Sequence, residues 1–232
     1  MFYPKVIDAQ SGESKLFKSA TTKIVCVGRN YAAHAAELNN PIPNEPLLFI
    51  KSTNTLVDLS EPIEIPRGQG ECHHELEIAI LIGDVISNAK QCEILGSVVG
   101  VGLGLDLTLR DLQQQLKDNK QPWEKAKSFD GACPVSSFVE VTHFVEPSSE
   151  LSHDLSKLDF MMKKNGQVAQ QGNSINMLFD IVTLIQEISH HFTLYPGDII
   201  LTGTPEGVAS LNSGDQLEFE LRGVRLTSTH VV

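Results

Sequence analysis

The stretch His73-His74-Glu75-Leu76-Glu77 sets two carboxylates two residues apart at the head of an apolar run that ends at Ile82. In a strand, such side chains emerge on one face roughly 6 to 7 Å apart, which leaves Leu76, Ile78 and Ile80 for the other face. At that separation, an effective dielectric near 20 gives a repulsion of about 2 to 3 kcal/mol between two ionised carboxylates. A buried pair therefore needs a cation, a shared proton or solvent. A divalent ion would meet the need, and oxygen-only ligands favour Mg²⁺, Mn²⁺ or Ca²⁺ over zinc. An exposed edge strand would carry the same pair with no ion at all. Cys72, His73 and His74 are too close in sequence to converge on one zinc ion, so the histidines read as groups that orient neighbouring ligands.

A third carboxylate, Asp106, closes the glycine-spaced run G-V-G-L-G-L-D from Gly100. It is either a further ligand or the cap of a following helix. The glycines lack the G-x-G-x-x-G spacing and the βαβ surroundings of a dinucleotide loop. His34 and Glu37 stand three apart in an alanine-rich stretch, so on a helical turn they face the same way. They can form an acid/base dyad or simply a surface pair. Arg110 and Gln113 share one helix face just after Asp106 and suit a carboxylate, although Arg110 could equally pair with Asp111 or another acid.

The elements that must position these groups are mostly short strands. Ile24 to Val27, Leu47 to Lys51, Glu75 to Ile82, Val98 to Leu105 and Asp198 to Thr202 read as strands, and Asn165-Gly166 reads as a hairpin turn. Tyr31 to Leu38 reads as helix, followed by a proline-rich loop over 40–46. A second helix is expected from Asp106 onward, with Leu109, Leu112 and Leu116 on one face. A third is expected after a cap at Ser174, with Met177, Ile181, Leu184, Ile185 and Ile188 on one face. The pattern predicts an α+β, mainly β fold and lacks the rhythm of a doubly wound sheet. At 232 residues and 41% hydrophobic, one domain is the default.

Charge narrows the partners. With 18 Lys and Arg against 29 Asp and Glu, the net charge is -11 and there is no basic run, which argues against a nucleic-acid or acidic-membrane partner. No apolar stretch reaches the ~20 residues needed to span a bilayer. The four cysteines are scattered, with no C-x-x-C pair, so reduced thiols in a cytosol-like compartment are expected.

Four motifs occur in a telling order: H-H-E-L-E from His73, G-L-D-L-T-L-R-D from Gly104, P-W-E-K-A-K-S-F-D from Pro122 and G-D-I-I-L-T-G-T-P-E-G-V from Gly197. Together they resemble the fumarylacetoacetate hydrolase family over about residue 24 to the C-terminus. The segment V-G-R-N-Y-A-A-H-A-A-E from Val27 and the L-D-L-T-L-R-D form of the Asp motif are similar to the acylpyruvase and oxaloacetate decarboxylase branch. The resemblance implies a mixed β-sandwich roll with flanking helices, spanning 24–232 after a lead-in of residues 1–23, and a cytoplasmic homodimer. It implies Mg²⁺, or Mn²⁺, held by Glu75, Glu77 and Asp106, with His34, Glu37 and Lys127 catalytic. Arg110, Gln113, Thr204 and Lys51 would contact a small 2-oxo acid. The implied reaction is hydrolysis of a 3-acylpyruvate, or decarboxylation of oxaloacetate. Alternatives are oxaloacetate tautomerisation, isomerisation or hydration of an unsaturated 2-oxo acid, and metal-dependent binding of a 2-oxo acid without turnover. Lys51-Ser52 and G-N-S-I-N-M from Gly172 depart from the Lys-Pro and Gly-Asn-Thr-x-Asp-Met common in relatives.

Overall fold

The computed structural model describes residues 1–8, 11–144 and 155–232. Its strands, in chain order, begin with β1 (Lys5–Ile7), β2 (Ser14–Leu16), β3 (Ile24–Gly28), β4 (Leu47–Lys51) and β5 (Leu56–Asp58). Then come β6 (Cys72–His74), β7 (Leu76–Ile82), β8 (Val98–Leu105), β9 (Thr108–Leu109), β10 (Cys133–Val135) and β11 (Phe138–Glu140). The last are β12 (Asp159–Lys164), β13 (Gln167–Asn173), β14 (Ile199–Leu201), β15 (Ala209–Ser210), β16 (Gln216–Leu221) and β17 (Val224–His230). The helices are α1 (Ala32–Glu37), α2 (Gln91–Ile94), α3 (Arg110–Asp118), α4 (Glu124–Lys127) and α5 (Ile181–His191). The chain is α+β and mainly β. None of the described helices is long and apolar enough to cross a membrane.

The main sheet runs β2-β1-β11-β8-β7-β14-β3-β4, with β10 joined to β8 and β5. Residues 1–23 thus supply β1 and β2, the edge of this same sheet. β7 lies between β8 and β14 and is buried along its whole length. Its side chains alternate between two cores. Leu76, Ile78, Ile80 and Ile82 pack into one core, which α5 and the strands β12 and β16 close from outside. Ala79 and Leu81 pack into a smaller one with Val6, Ile24, Cys26 and Ile199. A second sheet, β13-β12-β16-β17, stacks on the larger core, and a short third sheet joins β15, β6 and β9.

The glycines of β8 permit close approach of neighbouring backbone. A Cβ at Gly102 would sit 2.9 Å from Ser136 Oγ and 3.1 Å from the Ser137 carbonyl. Asn165 and Gly166 both adopt positive φ, 54° and 78°, as a two-residue hairpin between β12 and β13 requires.

Three expectations change in detail. The predicted strand over 75–82 breaks at Glu75, which joins β6 to β7. The helix expected from Asp106 begins at Arg110, because Thr108 and Leu109 pair with β6 first. Asp106 is therefore not its cap. The last helix begins at Ile181, where Asp180 Oδ1 accepts the Thr183 N–H at 2.8 Å. Met177 instead bridges to Tyr31, and Ser174 caps nothing: it opens a single tight turn, Ser174–Asn176, whose cap is Asn173, with Oδ1 accepting the Ile175 N–H at 2.8 Å.

Candidate active site

Strand pairing gathers residues that lie far apart in sequence. Leu76 pairs with Leu105 and Glu77 with Gly104, so Asp106 comes to rest beside Glu75, whose carbonyl accepts the Asp106 N–H at 2.9 Å. On the other flank of β7, the strand β14 ends at a loop whose Gly203 N–H donates to Glu77 Oε2 at 2.6 Å. Glu75, Glu77 and Asp106 thus offer oxygen atoms within 4.8 Å of one another, and all three side chains are buried.

Cations meet some of this charge. Lys127, on α4, donates to Glu75 Oε2 at 2.9 Å and to Asp106 Oδ2 at 2.5 Å. Arg110, at the start of α3, reaches Glu75 Oε1. Burial alone would raise the Glu75 pKa, but Lys127 and Arg110 hold it well below the usual carboxylate range. Glu77 goes the other way. Burial, then the charges of Asp106 and Glu75, push its pKa well up, and the Gly203 amide offsets little of this. The trio is thus short of positive charge at Glu77. Three hard oxygen donors so placed fit a divalent cation such as Mg²⁺ or Mn²⁺.

His34, Glu37, Arg110, Gln113, Lys127 and Thr204 accompany the trio. Five of the six line one cleft with it, and Glu37 contacts His34. His34 is buried, and its Nδ1 lies 3.3 Å from Glu37 Oε2, while Glu37 Oε1 accepts the Gly207 N–H at 3.0 Å. A carboxylate only accepts, so Nδ1 carries the proton and Nε2 is the free basic nitrogen. Gln113 gives its carbonyl to Arg110 at 2.8 Å, which leaves its amide N–H groups for a ligand.

Two expected substrate contacts have other occupations. Lys51 is fully buried, donates to the carbonyls of Leu107, Lys127 and Ala132, and lies 2.7 Å from Asp106 Oδ1. With every proton taken, it acts as an internal counter-ion rather than a substrate donor. The Thr204 hydroxyl donates to the Leu76 carbonyl at 2.8 Å, so this residue shapes the cleft wall without offering its proton.

Sequence reading missed Gln170. It lies on β13, in the second sheet, yet its Oε1 accepts from His74 Nδ1 at 2.8 Å and from the Leu76 N–H at 2.9 Å. Its amide donates to Thr204 Oγ1 and to the Pro205 carbonyl. One side chain thereby ties the β6–β7 joint to the 203–205 loop. Burial lowers the His74 pKa to about 4, so this imidazole is neutral. His73 instead meets Glu71 at 3.0 Å and Arg110 Nε at 3.4 Å. Nothing in the local pattern of β13 distinguishes Gln170 from its neighbour Gln171.

Comparison with known proteins identifies the family. The model of the fumarylacetoacetate (FAA) hydrolase C-terminal region matches residues 23–232. The chain is 43% identical over 216 residues to oxaloacetate tautomerase YcgM of Escherichia coli (strain K12), covering 93% of this chain and 95% of the relative. It is 40% identical over 203 residues to a mitochondrial oxaloacetate decarboxylase of Dictyostelium discoideum, covering 87% and 89%. Among solved structures, fumarylpyruvate hydrolase from Pseudomonas aeruginosa, in complex with Mn²⁺ and pyruvate, superposes with a TM-score of 0.87 at 27% identity, covering 100% of this chain and 97% of that one.

Proposed function

This chain belongs to the fumarylacetoacetate hydrolase family, and from that premise we propose that it interconverts the keto and enol forms of oxaloacetate at the Glu75, Glu77 and Asp106 site. The observation that carries the reading is one cleft in which three buried carboxylates, Lys127 and a buried His34 backed by the more exposed Glu37 converge. Glu75, Glu77 and Asp106 would hold Mg²⁺, with Mn²⁺ the alternative. When bound, the ion supplies Lewis acidity that stabilises the enolate of a 2-oxo acid.

The chain's own residues do the rest. An ammonium has three protons, and Lys127 spends two on Glu75 and Asp106, so the third can meet a substrate oxygen. The Gln113 amide can donate to the substrate carboxylate beside it. His34 Nε2 removes a proton from C3, and the same nitrogen returns a proton to the 2-oxo oxygen, so the enol forms with no net gain or loss of atoms. Glu37 holds the ring in the required tautomer and stabilises the imidazolium while it carries that proton. The 39–46 loop leads from α1 past Asn40 at the cleft, and closing it over bound substrate would exclude water. Homodimer formation and a cytoplasmic location belong to the same proposal.

The His34–Glu37 pair favours a second reading. The same free nitrogen could deprotonate water for attack on the distal carbonyl of a 3-acylpyruvate, with pyruvate as product, and oxaloacetate decarboxylation would share the enolate. The test follows enol-oxaloacetate by its ultraviolet absorbance with Mg²⁺, while a lactate dehydrogenase couple measures pyruvate from oxaloacetate, acetylpyruvate and fumarylpyruvate. Rapid enol loss at background pyruvate release, abolished by His34→Ala, is the expected result. Fast pyruvate release supports the second reading, and silence in both channels refutes turnover.

A further inference from the structure

We propose that Lys127 is a resident cation that competes with a divalent metal ion for Glu75 and Asp106, and that its ammonium must leave at least one of the two when the ion binds. This rests on reading Glu75, Glu77 and Asp106 as a metal site, and it holds whichever 2-oxo acid reaction follows. Three carboxylates have six oxygens, and five of these already face a cation or an N–H. Arg110 reaches Glu75 Oε1, Lys127 reaches Glu75 Oε2 and Asp106 Oδ2, Lys51 lies against Asp106 Oδ1, and the Gly203 N–H meets Glu77 Oε2. The charges balance as well, three carboxylates against Lys51, Lys127 and Arg110. A divalent ion added to that set would leave two surplus positive charges in the interior, where uncompensated charge is costly. A resident cation therefore has to give way.

Of the three, Lys127 is the one able to move. Lys51 is wholly buried and bound to the carbonyls of Leu107, Lys127 and Ala132. Arg110 is held by Gln113 and His73 besides Glu75. Among the described residues, the side-chain hydrogen bonds of Lys127 go to Glu75 and Asp106 alone. Its main chain is anchored, since its N–H donates to the Trp123 carbonyl at 3.0 Å and its own carbonyl accepts from Lys51. Movement thus falls to the flexible four-carbon stem. The Phe49 ring, whose centroid lies 5.3 Å from Nζ, lines the cleft and offers the ammonium a cation–π contact once a carboxylate is given up. A proton released from Glu75 or Asp106 joins the one already available to a substrate oxygen, so metal entry prepares the lysine for substrate.

The test measures Mn²⁺ affinity by titration calorimetry, without substrate, for the wild type and for Lys127→Met, which keeps an unbranched stem and drops the charge. The variant is expected to lose turnover yet bind Mn²⁺ about tenfold tighter or more, or about 1.4 kcal/mol, because no ammonium has to be displaced. In EDTA it should melt below the wild type, since Glu75 and Asp106 lose a counter-ion, and Mn²⁺ should narrow or reverse that gap. A crystal structure of the wild type with Mn²⁺ bound should show Lys127 Nζ out of hydrogen-bond range of Glu75 Oε2 or Asp106 Oδ2. Equal or weaker Mn²⁺ binding by the variant overturns the proposal. Tighter binding with both wild-type contacts intact in the crystal also overturns it, because repulsion at a distance then explains the gain. A wild type that binds no Mn²⁺ sinks the metal reading itself and this proposal with it. Should Lys127→Met not fold, the wild-type crystal decides alone.

Discussion

Replacing Glu77 by Gln should make the metal-free protein more stable and the metal-loaded protein less so. Glu77 is buried beside Asp106 and Glu75, and its pKa is raised well above the ordinary 4.5 by burial first and those two carboxylates next. A raised acid keeps its proton longer when folded than when unfolded. Its destabilising effect is therefore absent below pH 4.5, grows as pH rises and levels off above the folded pKa. At pH 7 the effect cannot exceed the work of protonating an ordinary glutamate, 2.5 pH units at 1.36 kcal/mol each, or about 3 kcal/mol. Gln keeps the acceptor for the Gly203 N–H and discards the charge. For a chain of 232 residues, about 3 kcal/mol corresponds to an upper limit near 10 °C in Tm. The assay is thermal unfolding of wild type and Glu77→Gln in EDTA and in Mg²⁺, at pH 5 and pH 7. The expected pattern is a higher Tm for the variant in EDTA at pH 7, a gap that closes toward pH 5, and loss of the stabilisation that Mg²⁺ gives the wild type. A variant less stable than wild type in EDTA, or one that keeps the full Mg²⁺ response, would refute the electrostatic account.

Three further expectations follow from packing and hydrogen bonding. Gln170→Leu strands the Leu76 N–H and His74 Nδ1–H in the interior, at roughly 1–3 kcal/mol each, so denaturant midpoints should fall and Km and kcat should both worsen. Gly102→Ala drives a methyl against Ser136 and the Ser137 carbonyl between β8 and β10–β11, and should cost about 1–3 kcal/mol in urea unfolding. Burial raises the thiol pKa of Cys72 to about 11 and of Cys133 to about 12, so at pH 8 the thiolate fraction is small and access is closed. Iodoacetamide with peptide mass mapping should leave both unmodified until denaturant is added.

Much of the strand framework could be read from alternation and turn chemistry. β8 falls on Val98–Leu105 as its glycine-spaced pattern suggests, and Asn165-Gly166 makes its hairpin because both residues accept positive φ. The grouping of Glu75, Glu77 and Asp106 was legible only through the ordered motifs that resemble the family, because spacing alone left an exposed edge strand and a helix cap as open alternatives. What stayed hidden depends on tertiary neighbours. Lys51 looked like any lysine at a strand end, and only the carbonyls of Leu107, Lys127 and Ala132, from other segments, make it an interior counter-ion. The start of α3 was misplaced because pairing of Thr108 and Leu109 with β6 overrides helical periodicity. Gln170 escaped notice because a glutamine on a strand has no pattern of its own.

That glutamine bears on how the chain comes together. Its strand belongs to the second sheet, while the groups it holds belong to β6–β7 and to the loop after β14. The main sheet can therefore pair its strands before the trio's surroundings reach their final geometry, which waits for the two layers to dock. The Leu76 amide proton, bonded to Gln170 across that junction, is a built-in reporter of docking. Its hydrogen–deuterium exchange should proceed only through the opening that separates the layers, and should slow in step with any ligand that tightens the site.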